Sequence, residues 1–166
     1  VAKNDEAHRQ LVEKFKAGEI DKTYLALVYG RLKDMSGSLD LAIGRHPVDR
    51  KKMSTKSGRG RSAITEWRVV EELRGASLLS LKIYTGRTHQ IRVHMSSLGH
   101  PVLGDSLYRG PGKFRLGNTV IPIPRQMLHS ACLQFAHPIT GEKMKWESRL
   151  PEDMISVLEG LRGLNA

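Results

Sequence analysis

The densest group of chemistry-bearing residues is Thr85-Gly86-Arg87-Thr88-His89-Gln90-Ile91-Arg92-Val93-His94. It reads as a strand end, a glycine turn and a helix start. The first turn of a helix leaves N–H donors free and carries partial positive charge, so it attracts anions. Arg87 and Arg92 can each add a bidentate contact to a carboxylate or phosphate. Three chemistries are open. A metal could bind His89, His94 and His100, but their spacing lacks the i, i+4 step of a helical zinc pair and no acid sits nearby. His89 and His94 could serve as base and acid in metal-free RNA cleavage, yet their spacing turns them apart on a helix. Arg92 could pair with a buried acid from elsewhere in the chain. A purely structural reading competes with all three: caps and hydrogen-bonded core polars. Tyr24, in TYLALVYG, alternates with Ala26, Val28 and Gly30, so it faces either an open cleft or the core.

The elements that must position these residues follow from periodicity. Residues 5–17 predict a helix with His8, Leu11, Val12 and Phe15 on one face, an N-cap at Asn4 or Asp5, and Gly18 as its cap. Val1-Ala2 reads as the tail of an apolar strand. Thr23 to Gly30 predicts a buried strand and 31–44 a short extended excursion. Strands follow at 64–72 and 77–84, joined at Arg74-Gly75. A helix over 88–98 has Ile91, Met95 and Leu98 as its apolar stripe. Residues 109–127, with three Pro and three Gly, read as a loop. Strands at 127–136 and 143–148 flank a turn. Pro151 opens a last helix that carries Met154, Ile155, Leu158 and Leu161. The expected fold is one α+β domain over 1–166, a mixed, mainly antiparallel sheet with flanking helices.

Charge narrows the function class. Lys and Arg total 27 against 17 Asp and Glu, a net +10 in 166 residues, which favours a polyanionic partner. Arg45, Arg50, Lys51, Lys52, Lys56, Arg59 and Arg61 face only Asp49 within 45–61, and glycines and serines make that stretch a flexible loop. Like charges so dense suit phosphate contacts. No apolar run is long enough for a membrane span, and no basic amphipathic helix has an aromatic face. Aromatic residues, at 5%, do not support a base-stacking platform. The lone Cys132 permits no internal disulfide; it reads as a core filler in a protein of the cytoplasm.

The string TGRTHQIRVHMSSLGHPVLGDSLY (85–108) closely resembles the signature of the RluA-type family of RNA pseudouridine synthases. KTYLALVYGR (22–31), GRHPVDRKKM (44–53), SAITEWRVVEE (62–72) and LHSACLQFAHPITGEKMKWESRLPEDM (128–154) resemble further blocks of that family in the same order. The resemblance implies isomerisation of uridine to pseudouridine in structured RNA, ribosomal first and transfer RNA second, with no metal and no organic cofactor. It implies no membrane partner, and nothing requires an oligomer. Arg92 would be the active-site arginine that pairs with the catalytic aspartate. Tyr24 would be the active-site tyrosine, stacking on the target base and assisting proton removal, and Leu128 would supply an apolar wall. Arg87, Arg45, Arg50, Lys51, Lys52, Lys56 and the 109–127 loop would lie along the RNA.

One departure stands out. The family's aspartate sits in an HRLDxxTSG-like motif that would precede VAKN, and no such motif is present. Asp5, Asp21, Asp34, Asp40, Asp49, Asp105 and Asp153 read as caps, turns or surface charges, and Asp105, in GDSLY, is not the nucleophile. The expectation is an N-terminally incomplete, inactive catalytic domain whose nucleophile lies upstream of Val1. The alternative is a non-catalytic RNA-binding remnant.

Overall fold

A computed structural model of the chain describes residues 2–163. The elements run α1 (Asp5–Ala17), β1 (Asp21–Tyr29), β2 (Ser36–Asp40), β3 (Gly44–Arg45), β4 (Met53–Ser54), β5 (Ile64–Leu73), β6 (Ala76–Ile83) and α2 (Gln90–Ser97). A 3-10 turn at Ser106–Tyr108 follows, then β7 (Lys113–Leu116), β8 (Thr119–Pro122), β9 (Leu128–Ala136), β10 (Lys143–Glu147) and α3 (Glu152–Gly163). Six strands form one sheet in the order β10-β9-β1-β6-β5-β2, and each of its ladders is antiparallel. This is the α+β architecture that the periodicity predicts.

Alternation along the strands creates two cores. On one face, Leu27 and Leu78 pack with Leu103, Phe114, Ile121 and the α3 residues Met154, Leu158 and Leu161. Each of those α3 side chains, buried whole, contributes about 2 kcal/mol. On the opposite face, Ala26, Val28, Leu79 and Leu81 pack with Ile91 and Met95 of α2.

Several expectations need correction. Residues 31–44 hold a true edge strand, β2, paired with β5. The 109–127 segment is no plain loop: β7 and β8 form a hairpin whose Phe114 and Ile121 are buried. That hairpin packs on the face opposite α2. In α2 the stripe stops short, because Leu98 is exposed while Val93 and His94 are buried. On α1 only Ala7 is buried, and Phe15 is exposed. In α3, Ile155 is exposed and Val157 takes its place in the core. Cys132 is half-buried on β9 rather than a core filler. Val1 lies outside the described residues, and Ala2 belongs to no strand.

The seat of α2 is polar as well as apolar. Gln90, His94 and Thr65 of β5 are all buried. The Gln90 amide donates to the Ile64 carbonyl at 2.9 Å and to the Thr65 hydroxyl at 3.0 Å. Its carbonyl accepts from the Thr85 hydroxyl and the Arg87 amide. His94 Nε2 lies 3.0 Å from the Leu41 carbonyl, which can only accept, so Nε2 carries the proton. Nδ1 then accepts from the Thr65 hydroxyl at 2.9 Å. The ring is neutral, and burial pushes its pKa below the ordinary histidine value.

That depression fixes a sign. The unfolded chain takes up the His94 proton first, near its ordinary pKa of about 6.5. The stabilisation is therefore complete above about pH 6.5 and is lost as pH falls through the lower folded value. The melting temperature should drop from about pH 7.5 to about pH 5.5, and His94→Asn should flatten part of that fall. A wild-type melting temperature constant over the range would contradict a buried neutral His94.

Candidate functional site

His89 precedes α2 with a left-handed backbone, φ 57°, and no side-chain cap. Such a conformation in a non-glycine residue is held by its surroundings. Here the holding group is Tyr108, whose hydroxyl lies 2.9 Å from His89 Nδ1. The same hydroxyl accepts the Met53 amide at 2.9 Å. Burial, and Arg92 close by, push the His89 pKa down.

Arg92 rises from the next position but two. Its Nε and Nη2 donate to the two Asp105 oxygens at 2.6 and 2.7 Å, a bidentate pair. The guanidinium carbon also sits 4.9 Å from the centre of the Tyr108 ring. The Asp105 side chain is 1% exposed and that of Arg92 13%. Asp105 also caps the 3-10 turn by accepting the Tyr108 amide at 3.3 Å. The cap reading of Asp105 is thus right, but a surface or turn charge it is not. It is the buried acid that Arg92 requires from elsewhere in the chain. The bond to Asp105 keeps Arg92 firmly charged. Among the described residues, no hydrogen bond occupies Arg92 Nη1.

The basic segment is built onto this cluster. Its first part closes as a small β3–β4 hairpin, Gly44–Arg45 against Met53–Ser54, and the residues between and after those strands are turns and loop. The Met53–Tyr108 bond ties it to the α2 end, and Ile43, Ala63, Val93 and Tyr108 form a small core beneath it. His46 Nδ1 accepts the Val48 and Asp49 amides and so shapes its tip. Arg45, Arg50, Lys51 and Lys56 are exposed, while Lys52 turns back to Asp49 at 3.5 Å.

Other predicted residues divide. Tyr24 and Leu128 are half-buried and pack against the same cluster as Ile91 and Met95, so β1, β9 and α2 do bring them to one face. Ala26 pairs with Leu128 across the ladder. Tyr24 is thus neither fully buried nor fully exposed. Arg87 is partly spent on structure, since its Nε donates to the Ser62 carbonyl at 3.0 Å. The three histidines diverge: His89 to Tyr108, His94 to Thr65 and Leu41, His100 to the Tyr29 carbonyl. Among the described residues, no group of three or more His, Cys, Asp or Glu is placed to hold a metal. The acid–base pairing of His89 with His94 also fails, because His94 is 0% exposed. Sequence reasoning passed over Tyr108 and the burial of Asp105; GDSLY was their only signal.

The order of these parts is that of a known family. A sequence profile described as RNA pseudouridylate synthase matches residues 1–97. The chain belongs to this family. The ribosomal large subunit pseudouridine synthase D of Pseudomonas aeruginosa is 44% identical over 170 residues, which cover 98% of this chain and 52% of that protein. The solved structure of human RNA pseudouridylate synthase domain containing 1 is similar at TM-score 0.72 and 28% identity, over 98% of this chain and 74% of that one. Human RNA pseudouridylate synthase domain containing 4 gives TM-score 0.76 at 25% identity, over 96% and 69%. The chain spans about half the length of the curated relatives it matches.

The Arg92–Asp105 pair gives a stability prediction. Removing one partner of a buried pair leaves the other charge without compensation. Asp105→Ala should cost about 3 kcal/mol in urea unfolding. The double variant Asp105→Leu with Arg92→Met should cost clearly less. Equal losses would mean that the pair is not what holds the 3-10 turn to α2.

Proposed function

We propose that this chain is the catalytic domain of an enzyme that converts uridine to pseudouridine in structured RNA, with ribosomal RNA the first candidate. The observation that carries the reading is Arg92, fixed by Asp105 and set over the ring of Tyr108, whose hydroxyl bonds to the basic hairpin. An arginine so held has one edge committed and can offer the other to a second anion.

In this reading, exposed Arg45, Arg50, Lys51 and Lys56 grip the RNA backbone and Tyr24 receives the extruded base. Leu128 walls the same face. The nucleophilic aspartate is supplied from upstream of Val1. It must stay ionised in a pocket that desolvates it, and the free edge of Arg92 opposes the resulting upward shift in its pKa. With the carboxylate engaged, the bond between N1 and C1′ breaks, the uracil turns, and C5 bonds to C1′. C5 releases its hydrogen to water and N1 takes up a proton in exchange, so no atom is gained or lost. A cytoplasmic enzyme without metal or organic cofactor fits this chemistry. No described helix is long and apolar enough to cross a membrane.

Asp105 favours a second reading for the chain taken alone. Both its oxygens bond to Arg92 and it is buried, so it has no lone pair aimed at a substrate. Without another carboxylate, the chain would bind RNA and not modify it.

The test is tritium release from ribosomal RNA carrying [5-³H]uridine. Release by this chain, or by a longer form bearing an upstream aspartate, supports the enzyme. Binding by both forms with release by neither supports the remnant. In an active form, Arg92→Leu should abolish release and lower RNA affinity little. Replacing Arg50, Lys51 and Lys56 by alanine should weaken binding and reduce the slope of log K against log salt by about 2–3. Collapse of binding in Arg92→Leu would show that the arginine holds RNA rather than a catalytic group.

A further inference from the structure

Lys22 is nine-tenths buried, at 7% exposure, on the central strand β1. A buried ammonium normally has a carboxylate or several acceptors, since it has lost its water. Lys22 has neither among the described residues. Its one close partner is the ring of Phe15, 5.6 Å from Nζ. The adjacent acid, Asp21, is committed to Lys82 at 2.8 Å. It also projects to the other side, because neighbouring strand residues alternate. Burial pulls the Lys22 pKa down, and the charge of neighbouring Asp21 opposes that only in part. Yet Trp67 Nε1 is the only wholly enclosed side-chain nitrogen or oxygen without a partner among the described residues, so Nζ keeps contact with solvent. The stem is buried and the tip is reachable: a donor waiting for an acceptor from outside.

Its position says what that acceptor serves. Lys22 stands two residues before Tyr24 and so lies on the same face of β1, the face of α2 and Leu128. We propose that Lys22 binds a phosphodiester of the RNA beside the nucleotide that Tyr24 receives. This rests on the RNA reading above and extends it to a cation far in sequence from the basic hairpin. Phosphate is the fitting class, because three ammonium protons suit a compact, multiply accepting anion.

The experiment uses the 166-residue chain and a fluorescein-labelled, uridine-bearing stem-loop RNA. Three proteins are compared over a salt series: wild type, Lys22→Met and Lys22→Arg. Lys22→Met should fold, with a melting temperature equal to or above that of wild type, because it removes an uncompensated buried charge. Its affinity should fall about tenfold at low salt, the size of one charge-assisted bond. The slope of log K against log salt should shrink by about 0.7–0.9, one phosphate contact. Lys22→Arg should restore most of the slope. A folded Lys22→Met with wild-type affinity and slope overturns the proposal. So does lower affinity at an unchanged slope, which would mean that Lys22 acts through the protein's own packing and not on a phosphate. A wild-type chain with no salt-dependent binding at all would instead sink the RNA reading itself.

Discussion

A short helix with polar groups on its buried side can sit on an apolar sheet only if each of those groups finds a bond there. α2 meets that condition through Thr65, whose single hydroxyl gives its proton to His94 and accepts from Gln90. The two bonds fix the helix in rotation and in height. Thr85 and the Leu41 carbonyl complete the set, so strand end, helix and edge loop are locked together. Arg92 projects from the flank of a helix already held rigid, and this makes its approach to Asp105 a fixed geometry rather than one of many rotamers.

The sheet divides labour between its faces. One face is sealed by α3 and the β7–β8 hairpin, with apolar contacts throughout. The other is sealed by α2 over β6, β5 and part of β1, and only half-covers Tyr24 and Leu128. Stability and accessibility are therefore not in competition at the same residues. The sealed face supports the strands, and the half-covered face leaves side chains within reach of a ligand. Tyr108 joins this second face to the basic hairpin, since one hydroxyl bonds both Met53 and His89.

Local signals in the sequence carried the strands and helices. The alternation of Leu79, Leu81 and Ile83 and the Arg74-Gly75 turn needed no tertiary information; Gly75 does take φ 77°. The β7–β8 hairpin was hidden because its apolar residues, Phe114 and Ile121, are sparse among prolines and glycines. Their burial is decided by α3, far along the chain. Leu98 and Ile155 fit a helical stripe, but the width of a stripe depends on what covers it. Arg92 was legible as an arginine in need of an acid. Asp105 was not legible as that acid, because a capping aspartate looks the same in sequence whether it lies at the surface or in the interior. The family resemblance supplied a role for Tyr24 and Leu128 that periodicity left open.

The central place of β1 has a consequence for how the chain acquires its shape. Tyr24 pairs across the ladder with Leu81 on one side and Ser130 on the other, partners more than fifty and more than a hundred residues away. Closing loops of that length precedes any gain from the contacts, so such topologies fold slowly. During synthesis, β6, with β5 beyond it, can flank β1 well before β9 has left the ribosome. The second flank, which brings Leu128 beside Tyr24, must wait for nearly the whole chain. The half-covered face is then the last region to acquire its final form, and a ribosome that stalls before β9 releases a sheet in which β1 has one open edge.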